Sequence, residues 1–303
     1  MTSVSWLDEL RPLGALPPAE AARALRAIGE SDVADELDEV AEAGGSAAYG
    51  SWRVRLRRDP VWRHTSHVVG HIPAHQGGTS AVTHAAEVEP DERLCGQQLK
   101  VTLDRLRVAD YPGHGIHHIL FDFAVQNQTE QGPEPVHFNA LYRVAEGDHA
   151  PVAGRPIFVG LRVGGEGLFL QCATVNVKNE SDEALLGFLD SDAFKTGLQL
   201  VATAQPALAP LSVMALSLTK AMAARNHNVT VQTIELGMDF SRISTRPRLA
   251  EGSYIAVQVP EPIAQVWRWA DWVFDPAVGM VTRRDDASPI PYNYLVLGVS
   301  RQG

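Results

Sequence analysis

Two hydrophobic periods divide this chain. Between residues 5 and 43 the apolar positions recur at helical spacing: Ala21, Leu25 and Ile28 in AEAARALRAIGE, then Val33, Leu37 and Val40 in SDVADELDEVAEAGG. The segment SWLDELRPLG predicts a short helix ending at a glycine, Pro17-Pro18 opens a longer one, and Ser31 supplies an N-cap hydroxyl before the next. Gly44-Gly45 closes the segment, and the period changes beyond it. That change sets the expected boundary between a small helical module at residues 1–46 and a main domain at residues 47–303.

From Ser51 onward the pattern is period 2. LKVTLDRLRVA alternates at Leu99, Val101 and Leu103; HILFDFAVQNQ at Ile119, Phe121, Phe123 and Val125; VHFNALYRV at Val136, Phe138, Ala140 and Tyr142. Further strands are expected at 155–162, 167–177, 229–237, 252–259, 264–274 and 291–300. A helical insertion at about 180–225 interrupts them, with Leu185, Leu186 and Leu189 on one side of its first half and Leu211, Met214, Leu218 and Met222 striping its second. Many strands without regular intervening helices predict a mainly β chain with some α, arranged as an antiparallel sandwich.

Charge separates the two parts. The net charge is −10, and residues 1–48 hold ten acids against three basic residues. An acidic chain of this kind is a poor ligand for nucleic acid or anionic membranes, because both need a basic surface. Cys95 and Cys172 form no C-x-x-C pair, and the N-terminus lacks the pattern of a secretory signal, so a reducing, cytoplasmic setting is expected.

Histidine density is the strongest local signal. His64, His67 and His71, followed by His114, His117 and His118, include enough imidazole for zinc, yet no H-E-x-x-H occurs, and Gly70 and Pro73 argue against a helix that would align the first three. Arg53, Arg55 and Arg57 fall on one face of an expected strand directly after the acidic helices, either as a solvated edge or as a docking site for an acidic partner. Gly160 to Gly167 reads as a hairpin turn, because a strand and not a helix follows it. The tryptophans of VWRWADWVFDP fit a sheet core or a stacking platform, and Cys172 reads as an inert core thiol, with a cross-strand pairing to His118 as the alternative.

The run VTLDRLRVADYPGHG, followed by IHHILFDFAVQNQ, resembles the opening strands of C2-type β-sandwiches over residues of about 97–175. Calcium-binding members carry paired aspartates in two loops; here only Asp110 stands in the matching first loop, and Asp285-Asp286 is remote. The resemblance therefore implies a C2-like architecture without calcium ligands.

Together these readings lead to a non-enzymatic regulatory protein that binds a protein partner and needs no cofactor. By analogy with short helical adaptors, and from its Ala, Arg and Gly bias, it would belong to a bacterial signalling or conflict system. The first alternative is a metal-dependent hydrolase, zinc being held among the six histidines; the second is a peripheral membrane-binding or membrane-inserting protein.

Overall fold

A computed structural model describes residues 5–43, 59–74, 78–130, 132–150, 152–178, 198–200 and 208–302. The chain is mainly β with some α, and its sheets are mostly antiparallel, as in a β-sandwich. Four α-helices are described: α1 (Pro18–Ala27), α2 (Ser31–Ala43), α3 (Leu208–Ala223) and the short α4 (Glu261–Val266). The strands are β1 (Ser66–Pro73), β2 (Ser80–Ala81), β3 (Thr83–His84), β4 (Gln98–Arg107), β5 (Ile116–Thr129), β6 (Gly132–Ala145) and β7 (Arg155–Arg162). They continue with β8 (Leu168–Val177), β9 (Leu198–Gln199), β10 (Val229–Met238), β11 (Gly252–Val259), β12 (Trp272–Asp275), β13 (Met280–Arg283) and β14 (Tyr294–Arg301).

A seven-stranded sheet runs β3-β1-β11-β14-β4-β7-β9, and a four-stranded sheet runs β10-β8-β5-β6. Among the described residues only the β7–β9 ladder is parallel. The predicted alternation forms the core between them: Leu99, Val101 and Leu103 from one sheet meet Ile119, Phe121, Phe123, Phe138 and Tyr142 from the other, all buried. Phe121 stacks on Phe123 at 5.2 Å and meets Tyr142 edge-on at 5.5 Å.

Both outer faces are also covered. Trp269, Trp272, Val281 and Ile290 close the back of the large sheet over Ile255, Val257 and Val259. The tryptophan run is therefore core, but not as the predicted strand at 264–274. Pro262 inside Glu261–Val266 starts a helical turn, Trp269–Asp271 is 3₁₀, and only Trp272–Asp275 pairs as a strand. Helix α3 covers the small sheet, where Met222 packs on Leu120, Val175 and Val177.

Gly164 and Gly167 form the expected tight turn, with Gly167 at φ +88°, but the strands it joins are not partners. β7 pairs with β4 while β8 pairs with β5 and β10, so the turn carries the chain from the large sheet to the small one.

Among the N-terminal helices only α1 begins as the pattern predicts: Ser31 is the first helical residue of α2 and not its N-cap, and SWLDELRPLG forms the 3₁₀ turns Trp6–Glu9 and Leu13–Ala15 in place of one helix ending at Gly14. Pro18 opens α1, and Gly29 at φ +89° closes it, the Glu30 amide donating to the Leu25 carbonyl and the Gly29 amide to that of Arg26. Ala21, Ala22 and Leu25 of α1, with Ala34 and Leu37 of α2, belong to the same cluster of buried side chains as the sandwich core. Of the helical insertion predicted at about 180–225, residues 180–197 and 201–207 lie outside the described residues, Leu198–Gln199 is the strand β9 and not helix, and Leu208–Ala223 is helical as expected.

Candidate functional site: a charged groove and a buried polar row

The N-terminal segment and α3 meet across the outer face of the small sheet. Leu7 and Leu10 pack on Ala173, and the Trp6 Nε1–H donates to Gln171 Oε1 at 2.8 Å. Between these elements lies a groove of about 930 Å³, walled by the N-terminal segment, by the Glu20, Arg23, Ala24 and Ala27 face of α1, by the C-terminal end of α3 and by residues 225–230.

Four basic side chains, Arg11, Arg23, Lys220 and Arg225, line it against two acidic ones, Glu9 and Glu20. Lys220 pairs with Glu9 at 2.7 Å and Arg11 with Glu20 at 2.8 Å. Among the described residues Arg23 donates only to a carbonyl of its own helix, that of Ala19, at 3.3 Å. Lys220 and Arg225 stand at the negative end of the α3 dipole, where cations are favoured. His227 completes the rim, its Nδ1 2.9 Å from the Ala27 carbonyl. A basic excess is thus concentrated in one concavity of an acidic chain.

Beneath Trp6 and α3 runs a buried polar row. His137 Nδ1 lies 2.9 Å from Asp122 Oδ1, Asn139 Nδ2 donates to Thr219 Oγ1 at 2.8 Å, and the His137 amide donates to Ser212 Oγ at 2.9 Å. Trp6 meets the imidazole edge-on at 4.9 Å. Burial pushes the Asp122 carboxyl up, with His137 acting in the opposite direction. The Ser212 hydroxyl accepts from the His137 backbone amide and donates to the Pro135 carbonyl, so the row ties strands β5 and β6 to α3.

The six histidines occupy separate environments. His64 lies 3.4 Å from Asp59. His67 enters the interior, 3.4 Å from Gln232, whose amide donates to the Tyr111 hydroxyl at 2.7 Å. His71 Nε2 contacts the Glu251 carbonyl at 3.2 Å. His117 faces Asn176 at 3.3 Å inside the sandwich, while His118, the next residue on the strand, points to the other face. His114 is exposed, 3.6 Å from Glu30. Burial lowers the pKa values of His67, His71 and His117 to about 4. Among the described residues no group of three His, Cys, Asp or Glu side chains is placed to hold a metal ion.

Cys172 points into the core, where burial pushes its thiol well above the usual range, and its register partner on β5 is Phe123, remote from His118. Arg53, Arg55 and Arg57 lie outside the described residues. Sequence reasoning missed Arg11, Arg23, Lys220 and Arg225 because the groove joins segments some two hundred positions apart. The only local signal was the pair of cations closing α3. No helix among the described residues is long and apolar enough to cross a membrane. No protein-family model, curated protein or solved structure matches this chain.

Proposed function

We propose that this chain is a non-enzymatic interaction protein that binds an acidic segment of another polypeptide in the groove between its N-terminal helices and α3. The observation that carries the reading is the concentration of four basic side chains in a 930 Å³ groove of a chain whose net charge is −10. Charge arranged this way steers encounter and selects the sign of the partner. Arg23, exposed and without a carboxylate partner among the described residues, is the principal contact.

The likeness to C2-type sandwiches enters here as architecture alone: a rigid antiparallel body that presents the groove, with no role for calcium. A cytoplasmic bacterial setting belongs to the same proposal, supported by the free thiols Cys95 and Cys172.

Fluorescence anisotropy with a labelled Glu-rich helical peptide, set against a Lys-rich peptide of equal length, tests this reading. The acidic peptide is expected to bind and the basic one not. R23E/R225E is expected to weaken binding by at least about tenfold, and added salt to weaken it further. Equal binding of both peptides, or binding indifferent to R23E/R225E, would overturn the proposal.

A further inference from the structure

The chain itself carries a segment with the chemistry this groove selects. Helix α2 holds Asp32, Asp35, Glu36, Asp38, Glu39 and Glu42 and no basic residue. At about 100° per residue, Asp32, Asp35, Glu39 and Glu42 fall within an arc of about 80°, forming one continuous acidic stripe. All four are exposed. Arg26 of α1 takes Asp35 and Asp38, each at 2.6 Å, whereas Asp32, Glu39 and Glu42 form no ion pair with any described residue.

The stripe cannot reach the groove of its own chain. Helix α2 packs through Ala34 and Leu37 and contributes nothing to the groove lining, and α1 turns Arg26 toward α2 while turning Glu20, Arg23, Ala24 and Ala27 toward the groove. Resting on the reading of the groove as a site for an acidic segment, we infer that its occupant is α2 of a second copy of this chain.

Dimensions agree with this assignment. Two turns of helix, about 11 Å long and 10 Å across, occupy close to the volume of the groove, and Asp32 and Glu39 stand two turns apart. Each copy carries both the groove and the stripe. A two-fold pair therefore fills both grooves at once and closes without unpaired ends, the commonest form of homo-oligomer. Electrostatic contacts at such exposed surfaces give salt-sensitive, reversible association.

Sedimentation velocity on the full chain tests the inference. The wild type is expected to dimerise at low salt and to dissociate at high salt. R23E/R225E, with an acidic groove, and D32K/E39K/E42K, with a basic stripe in which Asp35 is the one acid left, are each expected to be monomeric. Their equimolar mixture is expected to form a heterodimer, because each reversed surface then meets its complement. Recovery on mixing also shows that both variants are folded.

A wild type that stays monomeric at low salt and high protein concentration overturns the inference, as does a dimer that survives both sets of substitutions or a mixture that fails to associate. Peptide anisotropy reads the groove independently. A monomeric chain that still binds the Glu-rich peptide refutes self-association and leaves the acidic-segment reading intact.

Discussion

Asp122 and His137 sit on the phase of β5 and β6 that would face water in an ordinary two-layer sandwich, yet both are buried because Trp6 and α3 lie over them. Two ionisable groups held out of water are tolerated only while they satisfy one another. Deleting one partner of such a pair typically costs about 3–5 kcal/mol, since the survivor stays buried without its counterpart. D122A and H137A are each expected to lower the unfolding free energy by about that much in urea titrations. The double variant is expected to cost clearly less than the sum, because its second deletion removes the stranded group. Additive losses would show that the two side chains are energetically independent.

At the scale of elements, the N-terminal segment depends on a close approach that only glycine allows. A Cβ on Gly14 would collide with the Arg63 carbonyl, where the 3₁₀ turn Leu13–Ala15 crosses the turn Val61–Arg63. G14A is therefore expected to push the segment outward, costing about 1–3 kcal/mol and opening residues 5–16 to protease, while an exposed substitution such as A15S leaves cleavage unchanged. Limited proteolysis followed by N-terminal sequencing distinguishes the two, and equal protection would refute the claim that the crossing holds the segment.

The legibility of these elements followed from how many of their faces were dry. β4 read correctly because Leu99, Val101 and Leu103 mark a single apolar face, and β5 read correctly on its inner phase. Its outer phase hid Asp122, because alternation treats any polar residue opposite a core face as solvated. At 264–274 the tryptophans mimicked a strand: period-2 spacing from Trp267 to Trp269 concealed a helical turn and a 3₁₀ turn. The groove was illegible for a different reason. The basic excess of Arg11, Arg23, Lys220 and Arg225 arises only when the sandwich brings the N-terminal segment and α1 beside the end of α3.

For the molecule as a whole, the interior histidines make stability a function of pH. His71 and His117 are buried and His67 is half-buried, and all three have pKa values near 4, desolvation being the largest cause in each. In the unfolded chain each imidazole takes up a proton near its ordinary pH of about 6.5. Between those limits the unfolded state binds more protons, so stability rises with pH through the window and is fully present above it. Each of the two buried imidazoles, His71 and His117, accounts for on the order of 3 kcal/mol across the window, and the half-buried His67 for less. Asp122 opposes them, because a carboxyl pushed up by burial favours the folded state as pH falls, but it is one group against these three and His149, whose pKa burial also lowers to about 4. Since whole domains are stable by only about 5–15 kcal/mol, the balance predicts cooperative acid unfolding between about pH 6.5 and 4. Circular dichroism across that range is expected to show the transition, and H117Q, which removes one titrating group while keeping an amide beside Asn176, is expected to make the pH dependence shallower by one proton. Stability that stays level from neutrality to pH 4 would mean that these imidazoles are already charged, or hydrated, in the folded interior.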